Sequence, residues 1–117
     1  MTFEDLKLHN SLQNAVKDQN YETPTSIQAK AIPLILDRND MLCTAQTGTG
    51  KTAAFSLPIL HHLENESQNQ GKRKVKALIV TPTREIAIQI AENFTDYSKY
   101  NSIKNTVIYG GVKQIKQ

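Results

Sequence analysis

The 117-residue sequence has one cysteine, Cys43, no tryptophan, and aromatic side chains at only 6% of positions. A single cysteine excludes an intrachain disulfide and fits a reducing compartment. Cys43 lies in an apolar run, where a free thiol is expected as a small core hydrophobe. Long hydrophobic stretches are missing too. No segment approaches the length of a membrane span, and the N-terminus carries acidic residues where a secretory leader is apolar. A cytoplasmic location without a membrane partner is therefore expected. His9, His61 and His62 form no metal-ligand pattern with Cys43 and read as non-catalytic; being adjacent, His61 and His62 point in different directions on a helix. The net charge of +3 names no partner by itself. Its distribution is uneven, because every charged side chain from Lys99 onward is a lysine: Lys99, Lys104, Lys113 and Lys116. A basic end of this kind can face phosphates, although charge alone favours an ordinary solvated surface.

What is present is an alternation of two periodicities over a length that supports one small domain. Leu8, Leu12, Ala15 and Val16 recur at helical spacing. Pro24 stands where it can open a second helix with Ile27, Ala31, Leu34 and Ile35 on its apolar side, and Pro33 is expected to kink or divide it. A short buried strand is expected over 41–45, a helix over 52–63, and a polar surface loop over 65–74. A covered strand is expected over 75–80. A helix over 84–100 follows, with Ile86, Ile90, Ala91, Phe94 and Tyr97 on one face, and then a third strand over 106–109. Strand and helix in alternation indicate the α/β class, a parallel sheet with right-handed crossovers, of which three strands are an incomplete portion.

The strongest chemistry lies at the junction of the first strand and the helix after it: Ala45, Gln46, Thr47, Gly48, Thr49, Gly50, Lys51, Thr52. A strand, a glycine-bearing turn and a helix are the context a phosphate-binding loop requires. Gly48 and Gly50 let backbone N–H groups turn inward around phosphate oxygens, and the helix N-terminus adds further donors and partial positive charge. Lys51 is placed to reach the β and γ phosphates, and the Thr52 hydroxyl to coordinate magnesium, so these two are the expected catalytic pair. The usual pattern begins with glycine, and Ala45 holds that place here.

Ala45 to Thr52 resembles the phosphate loop of DEAD-box ATP-dependent RNA helicases, where alanine in first place is common. The run from Tyr21 to Gln28, with Thr23 and Pro24 within it, resembles that family's Q motif, and Phe3 the lone aromatic that precedes it. Asn20 stands where the family has glycine. Pro82, Thr83 and Arg84, with Glu85, Ile86 and Ala87, resemble motif Ia, with Ile86 in place of the usual leucine. Gly110 and Gly111 look like the family's glycine doublet, and the Gly-Gly-Val-Lys run looks most like bacterial members. The resemblance covers nearly the whole chain, 1–117, as the N-terminal portion of a first RecA-like domain, with the Q-motif region at 1–29 and the second RecA-like domain absent.

The resemblance implies ATP and magnesium as cofactors and single-stranded RNA as partner. Gln28 would read adenine through its paired donor and acceptor, and Tyr21 would stack on the base. Spacing alone favours an exposed helix residue for Gln28 and a core aromatic for Tyr21; only the resemblance assigns them to the nucleotide. Pro82, Thr83, Arg84, Gly110 and Gly111 would grip the RNA backbone without regard to sequence. On residue chemistry alone, the first three also fit a helix cap with a surface arginine, and the glycines a plain turn. The implied activity of the parent is RNA unwinding or remodelling driven by ATP hydrolysis. The sequence holds no Asp-Glu-Ala-Asp motif, which is expected beyond Gln117, so the fragment alone is expected to be inactive. The alternative is a non-catalytic nucleotide- or RNA-binding fragment. A different phosphate-loop class, such as a small kinase or GTPase, leaves Gln28 and the 82–87 run unexplained.

Overall fold

Two threonine side chains set the starts of two helices. The Thr25 hydroxyl accepts from the Gln28 amide at 3.4 Å, while Gln28 Oε1 accepts from the Thr25 amide at 2.9 Å, a reciprocal cap that satisfies two otherwise unpaired donors. Thr83 likewise accepts from the Ile86 amide at 3.2 Å. The computed structural model describes residues 1–46, 48, 50–66 and 75–108. Within them the helices are α1 (Asn10–Asp18), α2 (Ser26–Leu36), α3 (Lys51–Asn65) and α4 (Arg84–Tyr97), after a 3-10 turn at Phe3–Leu6. Pro24 thus precedes the cap instead of opening the helix, because Thr25 carries the acceptor that a proline lacks. α2 runs undivided through Pro33.

The core is built around α3, which packs against α1, α2 and α4. Leu57 and Leu60 of α3 are fully buried with Leu12, Val16 and Ile32, and Phe94, Tyr97 and Phe3, Leu6 and Leu8 of the N-terminal arm are buried around them. The buried stripe of α2 is rotated from the expected one: it is Gln28, Ala31 and Ile32, while Leu34 is 45% exposed. The rotation follows from a polar contact between Gln28 and the start of α3, described below, which a hydrophobicity pattern does not register. On α4 only Phe94 and Tyr97 are buried, Ile90 packs partly against the core, and Ile86 stays exposed. The helix ends at Tyr97, short of the expected Tyr100.

The expected strands are the main departure. No strand forms among the described residues, and the segments 41–45, 75–80 and 106–108 carry no regular structure. Leu42 is 95% exposed, Val75, Leu78 and Val80 are exposed as well, and Cys43 is exposed instead of buried. The physical reason is that a strand is defined by ladder hydrogen bonds from its neighbours. These three segments exchange none, so their apolar side chains have no covering layer. Most of the expected polar loop, 67–74, lies outside the described residues, as does Tyr109.

The rotated face of α2 is open to test. Ile32→Ala should cost about 2–5 kcal/mol in urea unfolding, as for a fully buried isoleucine, and Leu34→Ala less than about 1 kcal/mol. Equal losses would mean that the core is not the one described.

Candidate phosphate-loop site

Between Ala45 and α3 the chain turns through two residues in the left-handed region, Gly48 at φ 85° and Gly50 at φ 82°, a conformation that suits glycine. The two glycines differ in what surrounds them. A Cβ at Gly48 would meet nothing, whereas at Gly50 it would sit 2.3 Å from Gln28 Nε2 and 3.3 Å from Thr25 Oγ1. The cause is a direct bond: Gln28 Nε2 donates to the Gly50 carbonyl at 3.2 Å. Gln28 is only 4% exposed, so the surface-residue reading of it is overturned. Its amide is held at both ends, by Thr25 and by the loop. The Thr-x-x-Gln spacing was the available signal for the cap; nothing in the sequence marked the contact with Gly50.

Gly50 is the N-cap of α3 and offers no side-chain cap. The first-turn amides therefore face the loop, the arrangement that binds anions. Lys51, exposed at the first helical position, donates from Nζ to the Ala45 carbonyl at 2.8 Å, tying the first residue of the loop to its lysine. A phosphate oxygen entering the loop would compete with that carbonyl for the ammonium. Thr52 is half-buried on the first turn, and Gln46 is exposed. Thr47 and Thr49 lie outside the described residues.

Tyr21 belongs to a second cluster. Its ring stacks on Phe3 with centroids 6.0 Å apart, and its hydroxyl lies 3.3 Å from that of Tyr97. Burial, then the Tyr21 hydrogen bond, pushes the Tyr97 phenol well above its ordinary range. A cavity of about 450 Å³ opens beside this pair, lined by Phe3, Gln13, Val16, Lys17, Tyr21 and Glu22 among others. Thr23 is exposed.

The motif Ia residues stand at the head of α4. Pro82, Thr83 and Arg84 are exposed, Thr81 Oγ1 donates to the Thr83 carbonyl at 2.9 Å, and Arg84 Nε lies 4.0 Å from Glu85. Thr83 is a cap, as the residue chemistry allowed. Gly110, Gly111, Lys113 and Lys116 lie outside the described residues. Lys99 is engaged within the fold: its Nζ donates to Asp18 at 2.9 Å. The Tyr100 hydroxyl, and secondarily Lys99, holds the Asp18 carboxyl below the usual carboxylate range.

The family pattern described as DEAD/DEAH box helicase matches residues 25–117. The chain belongs to this family. As a DEAD/DEAH box helicase chain it is 41% identical over 116 residues to the DEAD-box ATP-dependent RNA helicase RhpA of Helicobacter pylori, covering 99% of this chain and 22% of the relative. It is 47% identical over 111 residues to the ATP-dependent RNA helicase DeaD of Escherichia coli, covering 94% and 17%. The crystal structure of the RNA helicase Prp28 from Chaetomium thermophilum bound to ADP matches with a TM-score of 0.85 at 35% identity, over 96% of this chain and 27% of that one. The chain thus spans about a fifth of the length of these curated relatives. Its backbone follows a helicase domain although its strand segments lack a ladder.

The crowding at Gly50 has a measurable consequence. Gly48→Ala should cost on the order of 1 kcal/mol, from its backbone conformation alone. Gly50→Ala should cost roughly 1–2 kcal/mol more, because Gln28 and Thr25 must also shift. Thermal melts of the two variants that coincide would contradict the Gln28–Gly50 contact.

Proposed function

We propose that this chain is the nucleotide-gripping part of the first motor domain of an ATP-dependent RNA helicase, and that the parent couples ATP hydrolysis to unwinding or remodelling of RNA. The observation that carries the reading is the bond from Gln28 to Gly50, which joins a side chain able to read adenine to a loop shaped for phosphates. The relatives named as ATP-dependent RNA helicases support it. In this reading the segments 41–45, 75–80 and 106–109 are strands of a RecA-like parallel sheet once neighbouring strands cover them.

The backbone amides around Gly48, Gly50 and the start of α3, with those of Ala45, Gln46, Thr47 and Thr49, would enclose the triphosphate, and Lys51 would exchange the Ala45 carbonyl for a phosphate oxygen. The Thr52 hydroxyl would hold magnesium, which when bound neutralises phosphate charge. Tyr21 and Thr23 would flank the base that Gln28 reads. Pro82, Thr83, Arg84, Gly110 and Gly111 would contact the RNA backbone, giving binding that is sequence-independent and weakened by salt.

In the intact protein, Lys51→Ala should lower ATP turnover by roughly 100-fold or more, the scale for losing a charge-stabilising group. Gln28→Ala should erase a preference for ATP over GTP in binding titrations; a wild-type protein that binds both equally would remove the adenine-reading role. Arg84→Ala should weaken single-stranded RNA binding alike for all sequences and reduce the slope of log affinity against log salt by about one unit. An unchanged slope would take Arg84 out of the interface.

A further inference from the structure

Far from the phosphate loop, the other end of α3 meets the start of α1 through a cluster of titratable groups. The His9 backbone N–H donates to His61 Nδ1 at 3.2 Å. A backbone amide can only donate, so His61 Nδ1 must present a lone pair: the ring is neutral and carries its proton on Nε2. The His9 and His61 rings are in contact, tilted by 36° with centroids 4.5 Å apart, and the His62 ring meets His61 edge-on at 5.9 Å. Adding a proton to His61 would therefore remove the acceptor and place a positive charge against two other imidazoles.

We propose that the His9–His61 contact is a proton-sensitive clasp, which fastens the N-terminal arm and the head of α1 to the C-terminal end of α3 while His61 is neutral and loosens in acid. The surrounding groups do not compensate for the lost bond. Glu64, the nearby carboxylate that among the described residues favours a charged His61, already accepts from Ser11 at 2.5 Å and Asn101 at 3.3 Å and lies 3.9 Å from His9 Nδ1. His9 Nε2 pairs with the Asn65 amide oxygen at 2.5 Å. From α2, the Ile35 carbonyl accepts from His62 Nε2 at 3.0 Å, a bond that a protonated His62 keeps, and Arg38 is taken up by Glu66 at 3.4 Å.

The direction of the pH effect follows. Burial first, then charge on His9 and His62, pushes the His61 pKa below its ordinary value. The clasp's contribution is therefore fully present above the unfolded value of about 6.5 and is lost as pH falls from there through the folded value. The arm released in this way carries Phe3, which stacks on Tyr21 at its far end. The inference does not depend on the nucleotide reading.

Amide hydrogen exchange of His9 in the intact protein, corrected for intrinsic rates, tests it. Between pH about 7.5 and about 5.5 its protection should fall several-fold, with about tenfold as the limit for a single proton. His61→Asn, which keeps an acceptor that does not titrate, should abolish that dependence, and His62→Asn should retain it. A His9 protection that ignores pH, a dependence that survives His61→Asn, or one that vanishes in His62→Asn would overturn the clasp. Should His61→Asn fail to fold, the wild-type imidazole nitrogen resonances decide: at neutral pH a proton on Nδ1 of His61 would overturn it equally.

Discussion

A single neutral hydrogen bond, from the Gln28 side chain to the Gly50 carbonyl, fixes how α2 meets α3 and how the loop between strand segment and helix is shaped. It explains why a glutamine lies buried in a helix face that hydrophobicity would have given to leucine. It explains why position 50 must lack a side chain while position 48 only needs a permissive backbone. It also links two regions of the chain 22 residues apart, so that a ligand bound by one has a physical route to the other. With Oε1 committed to Thr25 and Nε2 to Gly50, the amide is already oriented by partners on both sides. An adenine edge that took either atom would have to replace a bond the fold now uses.

The helices do not depend on a sheet for their mutual packing. α3 supplies the central buried surface, and α1, α2, the C-terminal part of α4 and the N-terminal arm close around it. The other side of the layer is different in kind. Leu42, Val75, Leu78, Val80 and Ile108 form a set of exposed apolar side chains on segments that carry no strand pairing. Their sequence pattern is the one expected of strands covered on both faces, yet among the described residues they form no strand and stay exposed. The backbone path is retained, as the match to a solved helicase domain indicates.

Local chemistry was legible in the sequence wherever it is decided within a few residues. The glycine and lysine spacing marked a turn leading into a helix, found at Gly48, Gly50 and Lys51. The Pro-Thr-Arg run marked where α4 begins, and adjacency told that His61 and His62 face different neighbours. The start of α2 was read at Pro24, one residue ahead of the Thr25 cap. What was not legible is decided by partners distant in the chain. Gln28 scored as a polar surface residue because its partner lies in the loop. Lys99 read as part of an ordinary solvated surface, but Asp18, 81 residues away in the chain, holds it. Cys43 and the strand segments looked buried because their composition presumes neighbours that a strand must find elsewhere. The role of Tyr21 stays a matter of resemblance, since its contacts here are to Phe3 and Tyr97.

The most direct measurement of the coupling is to follow the Gln28 side-chain amide and the Gly50 backbone amide by nitrogen-resolved NMR while ATP and magnesium are added to the intact protein. If Gln28 takes the base and the Gly50 loop the phosphates, both resonances should move together and saturate at one nucleotide concentration, because the two groups are bonded to each other. A Gly50 resonance that titrates while Gln28 stays fixed would contradict it.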